Sequence, residues 1–207
     1  MKKRWQRYLP LYGLIAITIL PIAAAYLAYF VVPPAGRTNY GTLLAQQRPI
    51  PELPLANLDG TRFDLRKLAG SWVFLMVDGG ACDKPCADKL LMMRQQRTMT
   101  GKDRDKIERV WLILDHEPLP IALMREYEGT HFVLAPVQAL RELLVLPDAD
   151  NARLQDHIWL IDPRANLMLR WPKNPEVNGV KRDVSRLLRV SAGWIRIDPR
   201  PMQPDPQ

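Results

Sequence analysis

Residues 72–86 read WVFLMVDGGACDKPC and contain the only two cysteines of the chain, Cys82 and Cys86. The first six residues are a continuous apolar run, which is typical of a strand whose two faces are both covered by helices. Helix-forming residues begin at Ala87, so the cysteines lie between a buried strand and the start of a helix. In that position the free N–H groups and the helix dipole favour thiolates. Such a pair can cycle between dithiol and disulfide, or it can bind a soft metal ion.

The bulk composition fits one globular domain with an appendage. The chain has 207 residues, of which 47% are hydrophobic and 25% are charged, which is enough to bury a core. The net charge is +7. The positive residues are spread along the chain, and several of them flank an apolar segment, so we do not expect a nucleic-acid partner. Two cysteines cannot form a disulfide framework, so packing must hold the fold.

An uncharged stretch over residues 9–32 predicts a single transmembrane helix. As a helix it would span about 36 Å, which is enough to cross a bilayer with some tilt. Residues 1–8 form a basic head that favours a cytoplasmic N-terminus. The predicted location is therefore the inner (cytoplasmic) membrane, with the rest of the chain in the periplasm. A cleaved signal peptide is the alternative, because the alanines at 23–25 resemble a cleavage region.

The remainder of the chain divides into a linker, a domain and a tail. Prolines predict an extended linker over residues 33–50 and a proline-rich tail over 191–207. Between them, residues 51–190 alternate strand and helix patterns, which predicts an α/β sandwich around a central sheet. The clearest signals are a hairpin around Asp59-Gly60, apolar strands at 72–77, 110–114 and 158–161, a helix over 87–98, and amphipathic helices that start near 137 and 180.

Two structural interpretations of the cysteine pair stay open. A purely stabilising disulfide would close a very small loop and remove little chain entropy, worth on the order of 2 kcal/mol or less. Two inert buried thiols are the other interpretation, but the charged residues Asp83 and Lys84 between them argue against burial.

If the cysteine pair binds copper, two thiolates leave Cu(I) room for a third ligand from elsewhere in the chain, typically an imidazole nitrogen. His157 stands at the start of an apolar strand, and a parallel-sheet interpretation places it at the same sheet edge as the cysteines. Asp156 or a backbone carbonyl would then accept the proton of its other ring nitrogen. His116 follows a strand and is the main competitor, whereas His131 has no helpful polar neighbour in the sequence. From position alone, His157 is equally consistent with a surface or hydrogen-bonded histidine that has no functional role.

At these residues the chain resembles the Sco/SenC family of membrane-anchored, thioredoxin-like proteins that help to assemble the copper site of cytochrome oxidase. The resemblance runs from about Pro51 to Arg189. Besides the N-terminal anchor and the cysteine pair, it rests on LDGTRFDL at 58–65, GSWV at 70–73 and DHIWLIDP at 156–163. It implies a thioredoxin-like fold, with a central mixed sheet flanked by helices. It also implies Cys82, Cys86 and His157 as copper ligands, with the two cysteines as the redox-active pair.

The chain departs from the family pattern at several positions and resembles a divergent member. Asp83 and Ala87 follow the two cysteines, where the family usually has proline. After the strand at 110–114 the sequence reads DHEP at 115–118, where the family usually has Asp-Pro followed by acidic residues. This departure leaves a ligand role for His116 open.

The resemblance implies a copper chaperone that binds Cu(I), with Cu(II) as a second oxidation state. Its implied partner is the copper-bearing subunit of cytochrome c oxidase. The alternative is an enzyme, a thiol–disulfide reductase that keeps the cysteines of that subunit reduced for metal loading. Such reductases usually carry Cys-x-x-Cys, so the extra residue in Cys-x-x-x-Cys favours metal binding. An assembly factor that acts by interaction alone is a third interpretation. The sequence identifies neither the copper donor nor the thiol reductant.

Overall fold

The computed structural model describes residues 8–31, 39–144, 146–147 and 152–191, with the backbone alone at 9, 11, 28–29, 31 and 45–47. The chain divides into two units, Met1–Thr38 and Asn39–Gln207. The first unit contains helix α1, Leu9–Val31, which has no charged residue and exposes large apolar side chains such as Leu14 and Ile17. None of the helices, over the residues described, combines the length and apolar character needed to cross a membrane. The helix is thus confirmed, and the membrane span stays a prediction.

The second unit is a mixed β-sheet flanked by helices, which confirms the predicted thioredoxin-like α/β fold. Over the described residues, eight strands pair in the order β1-β8-β7-β4-β5-β6-β2-β3. Their bounds are β1 Thr42–Pro49, β2 Leu55–Asn57, β3 Arg62–Phe63, β4 Trp72–Asp78, β5 Ile107–Ile113, β6 Thr130–Leu134, β7 Ile158–Ile161 and β8 Asn166–Arg170. The helices are α2 Lys84–Met99, α3 Ile121–Glu126, α4 Val137–Leu143 and α5 Val177–Val190, with short 3-10 helices at Leu65–Leu68, Gly101–Lys106 and Leu154–Asp156.

Strand direction decides which chain segments meet at the site. Strands β4, β5 and β6 are parallel, whereas β7 runs antiparallel to β4 with Ile158 opposite Met76. The parallel arrangement expected for β7 is therefore wrong. Because β7 is antiparallel, its beginning rather than its end lies beside the carboxyl end of β4. The segment that carries His157 and the turn that leads to the cysteines consequently share one edge of the sheet, called here the cysteine edge.

The core lies on both faces of the sheet, as the apolar run of β4 predicts. Leu75 and Val77 belong to one buried cluster, which also contains Leu140 of α4. Phe74 and Met76 belong to the other, with residues of α2 and α5 that include Met93 and Val184. Met93 is fully buried among apolar side chains and fills the core.

The predicted linker over 33–50 is wrong in its second half, because residues 42–49 form β1 and pair with β8. Asp183 of α5 holds the start of this strand, since its carboxylate accepts hydrogen bonds from the backbone N–H groups of Tyr40 (2.9 Å) and Gly41 (2.8 Å). The Tyr40 ring packs so closely on α5 that a Cβ at Gly179 would lie 2.6 Å from it. Proline at the end of an edge strand is compatible with this pairing. The predicted tail from 192 onward and the basic head up to residue 7 lie outside the described residues.

Candidate redox and metal site

The two cysteines are joined by a disulfide bond, with their Cα atoms 5.1 Å apart. Cys86 lies in the first turn of α2 and is fully buried, whereas Cys82 precedes the helix and is half-buried. The backbone of Cys82 has a φ of +28°, outside the regions that L-residues usually adopt. The structure thus brings the predicted redox pair together and leaves Cys82 as the more accessible of the two.

The start of α2 fixes the position of Cys86. Asp83 is the N-cap residue, and its side chain accepts a hydrogen bond from the backbone N–H of Cys86 at 3.1 Å. Pro85 occupies the first turn, where its missing N–H costs no helical hydrogen bond. The helix therefore begins at Lys84, three residues before the predicted start at Ala87, and includes the second cysteine.

The turn between β4 and the cysteines packs directly on the loop that follows β5. The backbone N–H of Gly80 donates to Asp115 Oδ1 at 2.8 Å. A Cβ at Gly79 would lie 2.5 Å from Asp115 Oδ2, and one at Gly80 would lie 2.5 Å from the Glu117 carbonyl oxygen. Gly80 therefore requires glycine, because the close atom there belongs to the backbone, whereas at Gly79 the Asp115 side chain would have to shift. His116 lies in this loop, at the cysteine edge, and its side chain is exposed.

A buried lysine connects three segments of the cysteine edge. The ammonium group of Lys89, on α2, lies 2.6 Å from Asp78 Oδ2 at the end of β4. It also donates to the carbonyl oxygen of Gln155, two residues before His157. Sequence reasoning missed this contact. The available signal was the position of Lys89 on the inner face of α2, next to the buried Leu90.

His157 is buried, and its ring is oriented by the backbone. Its Nδ1 lies 2.9 Å from the carbonyl oxygen of Trp171. Because a carbonyl only accepts, Nδ1 carries the proton and Nε2 keeps its lone pair, with no hydrogen bond to Nε2 among the described residues. Of the two orienting groups expected, the backbone carbonyl rather than Asp156 takes this role. The ring also meets Trp159 edge-on, with centroids 5.8 Å apart.

Electrostatics keep this imidazole neutral. Burial lowers the pKa of His157 below its ordinary value, although the hydrogen bond to Trp171 acts in the opposite direction. Neutral imidazole is the form that binds metals. At the adjacent Asp156, burial acts to raise the pKa, but hydrogen bonds from Arg153 and Lys173 outweigh it, so the pKa of this carboxyl is lowered.

The metal site itself stays a prediction. Among the described residues, no group of three or more His, Cys, Asp and Glu side chains is arranged to hold a metal ion. Cys82 and Cys86 are bonded to each other, whereas thiolates are the sulfur ligands that bind copper. The ligand set Cys82, Cys86 and His157 is therefore a prediction for the reduced protein.

His131 lies at the other end of the sheet, at the start of β6. Its Nε2 is 3.3 Å from Glu108 Oε2 on β5. The partner comes from the adjacent strand, 23 positions away in the sequence, so local sequence gave no sign of it.

The fold and the position of the cysteines define a thioredoxin-like protein. The chain belongs to the family described as transmembrane-like, thioredoxin-like, C-terminal domain, which matches residues 72–191. The match covers strands β4 to β8 and both cysteines. No curated protein sequence matches the chain significantly.

Solved Sco structures share this fold at low sequence identity. Apo Sco1 from Thermus thermophilus is 17% identical and covers 74% of this chain and 99% of its own, with a TM-score of 0.55. Yeast Sco1 with copper bound is 14% identical and covers 76% and 96%, with a TM-score of 0.52. A SCO1/SenC family lipoprotein from Bacillus anthracis is 16% identical and covers 70% and 98%, with a TM-score of 0.52. The Sco/SenC resemblance is thus confirmed at the level of the fold.

Proposed function

We propose that this protein is a membrane-anchored copper chaperone whose reduced form binds Cu(I) through Cys82, Cys86 and His157. The observation that carries the proposal is the contact of Lys89 with both Asp78 and Gln155. This contact fixes the segment before His157 to the end of the strand that leads to the cysteines. A histidine and two cysteines distant in sequence are thereby held at one edge of the sheet.

The donor chemistry fits Cu(I). Reduction of the disulfide with two electrons and two protons, supplied by a thiol reductant, releases two soft sulfur ligands. His157 is neutral, and its proton is on Nδ1, so Nε2 can act as a third ligand. The copper ion is cargo, and the copper-bearing subunit of cytochrome c oxidase is its proposed recipient. Copper bound to yeast Sco1, a protein with the same fold, supports the assignment.

A thiol–disulfide reductase is the second candidate, favoured by the unequal exposure of the two sulfur-bearing residues. In this reaction the thiolate of Cys82 attacks a disulfide of the oxidase subunit, which releases one thiolate of that subunit. The buried Cys86 then displaces the second, and the Cys82–Cys86 disulfide forms. The substrate gains the two electrons that the pair loses, and a thiol reductant restores the dithiol.

The anchor is part of the proposal. Helix α1 has no charged residue along Leu9–Val31, and its large side chains are exposed rather than packed in a core. Four basic residues precede it, Lys2, Lys3, Arg4 and Arg7. These features support a single pass through the inner membrane with the domain in the periplasm.

An anaerobic Cu(I) titration against a coloured chelator tests the chaperone function. The full chain in a neutral detergent should bind one Cu(I) after reduction and none as the disulfide, because only thiolates are effective ligands. Cys82→Ser should abolish tight binding, whereas Ser71→Ala, outside the site, should leave it unchanged. Tight binding by the oxidised chain would exclude the proposed site. Failure of the reduced chain to bind, together with reduction of a disulfide peptide, would establish the reductase instead.

A further inference from the structure

An arginine-lined cavity lies away from the cysteine edge, at the end of the sheet where β5 begins. Its volume is about 390 Å³. The second half of α2, the 3-10 helix that follows it and the first residues of β5 form its walls. Four arginines line it, Arg94, Arg97, Arg104 and Arg109, and this group is called the arginine pocket below. Glu128 is the single acidic residue among the described residues that line it.

Arg109 is the buried centre of the arginine pocket. Its side chain is 3% exposed, and its Nη2 donates to the carbonyl oxygen of Glu128 at 2.6 Å. Its Nε has no hydrogen-bond partner among the described residues. No described salt bridge includes Arg109, so this guanidinium is a buried cation without a carboxylate partner. A buried unpaired charge is destabilising unless an anion compensates it.

The other three arginines make only long ion pairs with carboxylates among the described residues. The closest carboxylate oxygens lie 3.9 Å from Arg94 Nη1, 3.7 Å from Arg97 Nη2 and 3.6 Å from Arg104 Nε. These separations exceed those of charge-assisted hydrogen bonds, which are about 2.7–2.9 Å. Arg97 is positioned by a second contact, because its Nε donates to the Ile107 carbonyl oxygen at 2.9 Å. The guanidinium groups can therefore turn toward a ligand without breaking a strong ion pair.

We propose that the arginine pocket binds the phosphate group of a small phosphorylated molecule. Guanidinium forks match phosphate oxygens in pairs. Four arginines and one glutamate line the pocket, and the other nearby carboxylates make only long contacts, so the lining favours a dianion over a monoanion. The cavity volume falls in the range of ligand pockets, at about 300–1,000 Å³, so it admits more than inorganic phosphate alone. Burial, together with the charges of Arg97 and Arg94, lowers the pKa of Arg109, although the charge of Glu108 acts in the opposite direction. A soluble phosphate ester and a phospholipid headgroup present this same group.

Isothermal titration of the full chain in a neutral detergent with inorganic phosphate tests the pocket. Arg109 is avoided as a test position because its loss could unfold the domain. Arg94→Gln and Arg104→Gln should each weaken binding about tenfold, the effect of losing one charge-assisted hydrogen bond. Glu128→Gln should strengthen binding, because it removes the repelling carboxylate. The control Arg66→Gln removes an arginine that pairs with Asp64 and does not line the pocket, so it should change nothing.

Two further ligands distinguish the source of the phosphate. Glycerol 3-phosphate represents a soluble ester, and a short-chain phosphatidic acid below its micelle concentration represents a lipid headgroup. Tighter binding of either one, with the same losses in Arg94→Gln and Arg104→Gln, supports the proposal and assigns the source. Equal affinities in the wild type and both arginine variants, or no saturable binding of any of the three ligands, would overturn it.

Discussion

At the scale of single residues, Lys89 and Asp78 hold the cysteine edge together. Both groups are largely removed from water, and their charged atoms are 2.6 Å apart. A buried pair of this kind adds little net stability compared with apolar residues, but loss of one partner leaves a charge without compensation. The two residues therefore act through the positions of the segments that they connect.

Lys89→Ala should reduce the free energy of unfolding by about 3 kcal/mol, because the Asp78 carboxylate and the Gln155 carbonyl oxygen lose their donor. Urea unfolding of the chain in detergent measures this change. Lys84→Ala is the matched control, since that lysine is on the same helix in an exposed pair with Asp88. The control should shift the free energy by less than about 0.5 kcal/mol.

The same measurement on Asp78→Asn/Lys89→Met separates the pair from simple packing. With the carboxylate charge removed, the lysine is no longer needed to compensate it, so the double variant should be more stable than Lys89→Met alone. Strictly additive effects of the separate substitutions would contradict a direct interaction between the two side chains.

The sequence indicated the candidate residues of the proposed site but not the residues that support them. Cys82, Cys86 and His157 stand in local motifs that are visible without a structure. The roles of Lys89 and of the Trp171 carbonyl depend on which strands pair and in what register. Since Trp171 follows β8 and Lys89 is on α2, no local pattern relates either of them to His157.

At the scale of elements, a cross-strand pair links β5 and β6 at the edge opposite the cysteines. The hydrogen bond between Glu108 and His131 lowers the pKa of Glu108 below its ordinary value of 4.5, although partial burial acts to raise it. The folded state therefore favours the carboxylate. The stability that this gives is present above about pH 4.5 and is lost as the pH falls through the lower pKa of the folded state.

Glu108→Gln should therefore reduce the amount by which the free energy of unfolding falls in acid. Urea unfolding at pH 5.5 and pH 3.5 should show a smaller decrease for the variant than for the wild type, because the variant has no carboxylate to protonate at this position. Some decrease should remain, since the pKa values of Asp64 and Asp156 are also lowered in the folded protein. Equal decreases in the two proteins would show that the pair contributes nothing to the acid response.

Asp183 is the residue through which α5 holds the start of β1. Its carboxylate accepts hydrogen bonds from the backbone of Tyr40 and Gly41 and from the indole N–H of Trp171 at 3.1 Å. Asp183→Ala should reduce the free energy of unfolding by about 3 kcal/mol, because three donors lose their acceptor. Urea unfolding measures the change, with the exposed Asp88→Ala as control. A loss for Asp183→Ala no larger than that of the control would disprove this anchoring role.

The elements were predicted unevenly, and for a physical reason. Strand β4 and helix α2 have strong periodic signals within a few residues, and only the start of α2 was misplaced, since an aspartate N-cap and a proline in the first turn precede the apolar pattern. Strand β1 was taken for a linker, because its partner β8 is more than 100 residues away and the prolines at 33, 34 and 49 are typical of an extended connection. The direction of β7 was likewise not encoded locally.

At the scale of the whole molecule, the proposed anchor predicts a single membrane helix with the domain in the periplasm. A reporter fused after Gln207 that is active only in the periplasm should be active, because the basic head favours a cytoplasmic N-terminus. Replacing Lys2, Lys3, Arg4 and Arg7 with glutamine should reduce that activity. A reporter active only in the cytoplasm must be inactive at the same position. Cytoplasmic activity, or a mature N-terminus beyond Ala25, would contradict the anchored topology.

In the proposed site, the reduced protein holds Cu(I) with His157 as the third ligand. The most direct measurement is the Cu(I) affinity of the reduced full chain in the wild type, His157→Ala and His116→Ala, by anaerobic competition with a chelator. His157→Ala should weaken binding about ten- to a hundredfold or more, as the loss of a ligand costs at least as much as the loss of a residue that orients one. His116→Ala should bind like the wild type. Equal affinity in the wild type and His157→Ala, or a large loss in His116→Ala alone, would contradict the account.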